Sequence, residues 1–249
     1  MDTDYAERYA RLERDHWWWV GRRKILRNSL QALPIARGGA AKPTLLEVGC
    51  GAGYNVRDLQ QDYDCRCLEP DDLLRAQAAE LLDCRVEFGM LPDQVGAYDC
   101  TFDVVLLMDV LEHVEQDAEA LAAIRSLLKP GGFLVLNVPA LQWMWSHHDT
   151  MNQHFRRYHR GPLMTLLQEA GFDVQTLRYW GHGLIPPAYL ARRLNIDSGT
   201  KDSDVMIPAA PVNTMMQYYV RTEAVLTSIT PWFPGLSLFG IARNPEFPA

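Results

Sequence analysis

Two stretches of this chain hold residues whose types and spacing can do chemistry. The first runs Trp143-Met144-Trp145-Ser146-His147-His148-Asp149, then Asn152-Gln153-His154-Phe155-Arg156-Arg157-Tyr158-His159. It holds four histidines within 13 residues. Histidine is the side chain whose ordinary pKa lets it accept a proton near neutrality. One account is therefore general-base chemistry, with His154 as the preferred base and His148 in reserve. Asp149 would orient the ring, and Arg156, Arg157 and Tyr158 would hold the loop. A second account is a metal, but the spacing matches no standard zinc pattern and no cysteine joins it, so no metal site is expected. A third is a polar loop whose histidines and arginines tie down neighbouring backbone. The second stretch is Glu47-Val48-Gly49-Cys50-Gly51-Ala52-Gly53, with glycines at alternate positions. Glycine permits positive φ and lets a ligand approach the backbone. A helix start just beyond would offer unpaired N–H groups to an anion. The dinucleotide pattern needs a sixth-position glycine, where Tyr54 stands, so a pyrophosphate fits poorly and a carboxylate fits better.

Strands and helices must position both stretches, and the patterning predicts them. Strands are expected near 44–48, 64–69, 84–88, 102–107 and 133–138, with helices near 71–82 and 115–128 between them. Lys129-Pro130-Gly131-Gly132 ends the second of these helices. Gly161-Pro162 opens another, ending at Gly171, before a sixth strand near 172–179 and a last one at Ser237–Arg243. Repeated β–α units imply a doubly wound, mostly parallel sheet with helices on both faces. Ligands then bind outside the carboxyl ends of the strands. Glu69 lies at such an end, 16 residues past Gly53. Its two oxygens can accept from both hydroxyls of a ribose, whether of a nicotinamide or of an adenosylmethionine.

Phe102-Asp103-Val104-Val105-Leu106-Leu107-Met108-Asp109-Val110-Leu111-Glu112-His113 completes a set of three motifs with the glycine loop and Lys129-Pro130-Gly131-Gly132. In that order and spacing they resemble the class I S-adenosylmethionine-dependent methyltransferases over about residues 40–180. The resemblance implies a seven-stranded Rossmann-like sheet with S-adenosylmethionine as cofactor. It implies a binding set of Glu47, Gly49, Cys50, Gly51, Gly53, Glu69 and Pro70, with Met108 and Asp109 beside the methionine moiety. Met90 and Leu91 would sandwich the adenine, although the acidic residue that often meets its amino group is missing from Glu87-Phe88-Gly89-Met90-Leu91-Pro92. His113 is expected to pack or cap locally. Asp149-x-x-x-x-His154-x-Arg156-Arg157-Tyr158 resembles a bacterial small-molecule subgroup that also carries an N-terminal tryptophan–arginine segment.

That segment is His16-Trp17-Trp18-Trp19-Val20-Gly21-Arg22-Arg23. The first thirty or so residues read as helix, with Tyr5, Tyr9, Leu12, His16 and Trp19 on one stripe. Adjacent helical residues lie about 100° apart, so three tryptophans cannot share one core. Trp19 is expected to cap the cofactor, and Arg22 or Arg23 to meet its carboxylate. The expected organisation is a helical cap over 1–35, the α/β core over 36–180, a helical insertion over 181–235, and a final strand and tail over 236–249. The insertion stands where a short hairpin would suffice, with helices near 187–194 and 213–229, and reads as a lid.

The 249 residues carry a net charge of −7, which argues against a nucleic-acid partner. No secretory signal or membrane-spanning run is visible, and five cysteines including the Cys65-Arg66-Cys67 pair suit a reduced, cytoplasmic protein. The expected activity is methyl transfer from S-adenosylmethionine to a small, hydrophobic or lipid-like acceptor. Apolar stretches in the insertion leave room for peripheral membrane contact. A phenol with pKa about 10 is disfavoured as anion at neutrality by roughly 4 kcal/mol. A histidine base removes that penalty, so oxygen is the expected target. The alternatives are a non-catalytic cofactor-binding partner or scaffold, and, less favoured because of Tyr54, a nicotinamide oxidoreductase.

Overall fold

The apolar run of β1 (Thr44–Val48) places this strand at the centre of the sheet, with Leu45, Leu46, Glu47 and Val48 all buried. The structure, a computed structural model, describes residues 3–35, 41–95, 101–193, 206–226 and 232–246. β1 pairs in parallel with β2 (Asp64–Leu68) on one side and β4 (Phe102–Met108) on the other. β3 (Arg85–Glu87) lies outside β2, and β5 (Leu128–Pro139) outside β4. β7 (Ser237–Arg243) inserts antiparallel between β5 and β6 (Asp173–Trp180), giving the order β3-β2-β1-β4-β5-β7-β6. The order in which the chain lays down strands reverses between β1 and β4, the switch point where such sheets bind ligands.

Near-continuous apolar strands are what a sheet covered on both faces requires. Leu46, Val48, Val105, Leu107, Leu134 and Leu136 face one core. It is closed by α5 (Asp117–Leu127) through Leu121 and Ile124, and by α7 (Arg160–Glu169) through Leu163 and Leu167. The alternate residues Leu45, Cys67, Val104, Leu106 and Val135 face the other core, with Ile25, Leu26 and Leu30 of α2 (Trp17–Ala32). The adjacent α4 (Asp72–Leu81) is N-capped by Asp71, whose carboxylate accepts from Leu73 and Leu74 N–H. Cys65 and Cys67 share the buried side, as small core residues. β5 begins at Leu128, so Lys129-Pro130-Gly131-Gly132 forms the irregular start of a strand as well as the end of a helix.

The N-terminal segment is two helices rather than one. α1 (Thr3–Asp15) and α2 meet at His16, which is extended and accepts from Trp18 N–H through Nδ1. Burial pushes His16 down to about 4, which keeps the lone pair that the cap needs. The single stripe expected from Tyr5 to Trp19 is therefore broken by a side-chain cap that outcompetes helix continuation. The insertion forms α8 (Ile185–Arg193) and α9 (Ala210–Leu226), each starting a few residues earlier than its spacing predicted. α9 packs on α2: Gly21 faces Val220, and Asn213 accepts from Trp17 N–H while donating to the Asp15 carbonyl. Cys100, part of the expected linker (36–40) and parts of the insertion (194–205, 227–231) lie outside the described residues. Among the described residues no helix is long and apolar enough to cross a membrane.

Candidate active site

The turn after β1 is built from three glycines with positive φ: Gly49 at +71°, Gly51 at +58° and Gly53 at +90°. Gly53 starts the short helix α3 (Tyr54–Arg57), and Gly49 and Cys50 N–H donate to the Leu68 carbonyl at 2.8 and 3.1 Å. Glu69, buried at the end of β2, fastens the turn. Its Oε2 accepts from Gly51 N–H at 2.8 Å and its Oε1 from Asp71 N–H at 3.0 Å. A carboxylate has about four lone-pair sites, so acceptor capacity for a diol remains. Pro70 is exposed beside it. The Cys50 side chain is buried, so this residue offers its backbone rather than its thiol. On the far side of Glu69, Leu91 is buried while Met90 is 50 % exposed, and the Arg75 guanidinium lies 5.6 Å over the Phe88 ring.

The N-terminal helices lie across the turn. A Cβ on Gly51 would run into Glu13 Oε1 and the Tyr9 ring, both from α1. From α2, buried Arg22 pairs with Asp109, which follows Met108 at the end of β4 in the left-handed region at φ +62°. That conformation is costly for a non-glycine residue and needs support from its surroundings. Asp109 has it: Asn137 of β5 donates to its Oδ1, and Trp180 Nε1 of β6 donates to Asn137 Oδ1 at 2.8 Å. Trp180 in turn stacks on Trp18, with centroids 4.1 Å apart and an angle of 21°. Trp18 is thus the tryptophan joined to this network. Trp19, expected over the cofactor, meets His16 and Tyr9 edge-on, and Tyr9 lies against Gly51 of the glycine turn. A side chain at position 18 reaches the sheet because α2 restarts at Trp17. Arg23 bonds the Glu13 and Arg14 carbonyls and braces the elbow, leaving Arg22 to face the site.

Around the turn sit buried polar atoms with no hydrogen-bond partner: Glu13 Oε2, Arg22 Nε, Glu47 Oε2 and Glu112 Oε2. Such orphans are rare in folded chains and call for an explanation, and their clustering beside a glycine turn is consistent with a bound ligand. Burial pushes Glu47 up to about 8, although Asn55 donates to its Oε1 at 2.7 Å. Burial likewise pushes Glu13 up to about 7 and Glu112 well above the ordinary carboxylate range. The set can receive a cation at the carboxylates, a carboxylate at Arg22 and a diol at Glu69.

The histidine-rich wall follows β5. Its first helix, α6 (His147–Met151), is opened by a capping box between Ser146 and Asp149. Asp149 is fully buried and forked by Arg157, Nε at 2.7 Å and Nη2 at 2.9 Å, while His154 Nδ1 lies 2.9 Å from its Oδ1. Burial alone would raise its pKa. The hydrogen bonds from His154 and Arg157 prevail and hold it well below the usual range. An ionised Asp149 fixes the proton on His154 Nδ1 and leaves the lone pair on Nε2. His148 is turned to Asn152, Nε2 to Nδ2 at 3.0 Å, with its ring 6.4 Å from His154. His147 and His159 are exposed, and His159 Nε2 accepts from Gln142 N–H at 3.4 Å. The His113 ring, expected to pack or cap, stands edge-on 4.6 Å from His154. Phe155 N–H donates to the Glu112 carbonyl at 2.8 Å and ties the two loops together. Glu112, His113 and His154 present candidate ligand atoms within 4.8 Å of one another. The expectation of no metal ligand set rested on zinc spacing inside the wall. This trio takes only one member from the wall, so spacing did not reveal it.

Several residues in this arrangement are assigned no role by the sequence: Glu13, Asn55, Asn137 and Trp180. Asn137 did leave a signal, being a lone amide inside the apolar run Phe133–Val138. Glu13 left none, since it looks like any charged residue on an exposed helix.

A family model described as a methyltransferase domain matches residues 18–177. A Mycolicibacterium smegmatis protein named as a probable S-adenosylmethionine-dependent methyltransferase is 31% identical over 144 residues, 56% of this chain and 55% of that protein. A ubiquinone biosynthesis O-methyltransferase of Thiobacillus denitrificans is 26% identical over 170 residues, 63% of this chain and 67% of that one. The chain spans about half the length of the curated relatives it matches, from 43% to 55% of the first three. Among solved structures, phosphoethanolamine N-methyltransferase 2 of Haemonchus contortus with S-adenosyl-L-methionine superposes with a TM-score of 0.54. It is 16% identical, and 89% of this chain and 52% of that chain are covered. That likeness shows the shared fold.

Proposed function

The chain belongs to the class I S-adenosylmethionine-dependent methyltransferase family, and we propose that it methylates a hydroxyl of a small hydrophobic acceptor. The observation that carries this reading is the Asp149–His154 pair, standing beside Glu112 at the carboxyl ends of β4 and β5.

S-adenosylmethionine is the cofactor, and the buried groups fit it. Arg22 would take its carboxylate, Glu47 and Glu13 its ammonium, and Glu69 its ribose hydroxyls, with the glycine turn allowing close approach. When bound it supplies an activated methyl group on a sulfonium with a good leaving group. The chain's residues then have two tasks. The first is alignment, which supplies much of the rate in such displacements. The Arg22–Asp109–Asn137–Trp180–Trp18 series supports this by locking the β4 loop against the cap. The second is to manage the acceptor's proton. His154, with Nδ1 committed to Asp149, presents Nε2 as base or orienter of the hydroxyl. Oxygen as the target is supported by this pair and by the O-methyltransferases among the relatives.

A hydrophobic acceptor is supported by the exposed apolar side chains of the insertion and wall. Trp143 lies edge-on 6.0 Å from Tyr189 of α8, Leu190 beside it is exposed, and Met215 and Tyr218 of α9 are exposed too. Met206, Trp232 and Phe233 extend this greasy character at the segment ends, which suits an acceptor delivered from lipid at a membrane surface.

The test is product identification. The chain is incubated with isotopically labelled S-adenosylmethionine and a panel of phenols, catechols, amines and carboxylates, and the products are resolved by mass spectrometry. O-methyl ethers of apolar phenols are expected. His154→Gln should lower turnover about 10²–10⁴-fold with cofactor affinity unchanged. Methyl transfer only to nitrogen or carbon would overturn the oxygen assignment. Cofactor binding with no transfer to any acceptor would favour the non-catalytic reading.

A further inference from the structure

We propose that Glu112, His113 and His154 form a site for one divalent first-row transition cation of the zinc or manganese class. Their candidate ligand atoms lie within 4.8 Å of one another, drawn from two loops joined by the Phe155–Glu112 backbone bond at 2.8 Å. In a tetrahedral site ligands about 2.1 Å from the ion stand about 3.4 Å apart, so side-chain movements of about an ångström are needed to close the set.

Two observations point to a ligand here. Glu112 is 1 % exposed, and its Oε2 has no hydrogen-bond partner. Leaving a buried carboxylate oxygen unpaired is costly, and a cation removes that cost. The His154 ring is set as metal-binding histidines are set, with Nδ1 held by a buried carboxylate and Nε2 carrying the lone pair. Asp149 is itself fixed by the Arg157 fork and by Ser146 N–H at 2.8 Å. Two imidazoles with one carboxylate suit a borderline divalent ion, and three protein ligands leave positions open. The site opens outward, since Glu112 is buried, His154 half-buried and His113 exposed.

The inference deepens the proposed function and rests on it only for the identity of the acceptor. With Nε2 on the ion, His154 would hold the ion rather than take the proton itself, and the ion would act on the acceptor hydroxyl. A hydroxyl at an open position loses its proton to water at lower cost. The acceptor oxygen then forms the bond to the methyl carbon as the carbon–sulfur bond breaks and its electron pair passes to sulfur.

The first readout, metal binding, needs neither acceptor nor methyl donor, and a second, methylation with and without the metal, separates this site from the proposed function. The chelator-treated chain is titrated with Mn²⁺, read by the loss of the free-ion resonance signal, and separately with Co²⁺, read by its visible absorption. One tightly bound equivalent is expected, with cobalt bands of nitrogen and oxygen ligation. Glu112→Gln and His113→Gln should each weaken binding by about tenfold or more, and Asp149→Asn by about 10–100-fold through the ring it holds. His159→Gln should leave it unchanged. Circular dichroism and thermal melts select the variants that remain folded. No binding, or binding equal in the wild type and in folded Glu112→Gln and His113→Gln, would overturn the site. Full O-methylation by the metal-stripped chain would also overturn it while leaving the proposed function standing. One bound ion with methylation only at nitrogen or carbon would do the reverse.

Discussion

Raising the pH should destabilise the ligand-free chain, and Glu47 should account for most of the loss. Its folded pKa is pushed to about 8 and that of Glu13 to about 7, against an ordinary 4.5. Unfolded, both side chains ionise near that ordinary value. Folded, each keeps its proton until the raised value is passed. The native chain therefore binds more protons across the window, so this stability is fully present below about pH 4.5 and is lost as pH rises through the folded values. Each pH unit of difference is worth about 1.4 kcal/mol per group. Between roughly pH 6 and 8, Glu47 should remove about 2 kcal/mol and Glu13 about 1 kcal/mol. In a chain of this size the Glu47 share corresponds to about 4–8 °C in Tm. The assay is thermal unfolding of the wild type and Glu47→Gln across that range. Glutamine does not ionise, and its carbonyl can still accept from Asn55. Its profile should be flatter by the Glu47 share. Parallel profiles for the two proteins would refute the argument that Glu47 is held protonated by burial. Cofactor affinity should run the other way. The ionised carboxylate is the form that meets an ammonium, so calorimetry should show tighter binding toward pH 8, accompanied by proton release.

Glu69→Ala removes the group that fastens the glycine turn and meets the ribose. It should weaken S-adenosylmethionine binding by about 1.5–3 kcal/mol, and unchanged calorimetric affinity would remove Glu69 from the site. Gly51→Ala places a Cβ against Glu13 and Tyr9 at a φ of +58°. That conformation alone costs about 1–2 kcal/mol, so a loss of cofactor affinity of about tenfold or more is expected in equilibrium dialysis. Gly21→Ala would bring a methyl to 2.6 Å from Val220 Cγ1. Forcing α2 and α9 apart should lower stability by about 1–3 kcal/mol in urea melts, and no change would mean that the two helices are only loosely joined.

The core of this fold was legible because its signals are contiguous. The runs at Thr44–Val48 and Phe102–Met108 read as buried strands, and the glycine turn followed by Glu69 at a strand end read as a ligand site. In each case the residues that matter lie within one β–α unit. The same holds for Asp149 and His154, five positions apart within one loop. What could not be read depends on approach between distant segments. The Arg22–Asp109 pair spans 87 positions, and the Trp180–Asn137 bond spans 43. The placement of Trp18 rather than Trp19 against the sheet turned on His16, where a ring nitrogen capped a helix that periodicity alone continued. Glu112 was read as part of a signature, but its orphaned oxygen appears only once the 109–113 turn and the wall are packed together.

The strand that comes last in the chain is not last in the sheet. β7 pairs with β5 on one side and β6 on the other, so both carry an unmatched backbone edge until residue 243 has left the ribosome. A nascent chain halted after β6 would expose two sticky edges, the kind of surface that recruits other strands and aggregates. It would also lack α9, and with it the surface on which Gly21 and Trp17 rest. α2 would then rest on the sheet core alone, with one flank uncovered. Termination between β6 and β7 should therefore yield insoluble protein rather than a slow enzyme.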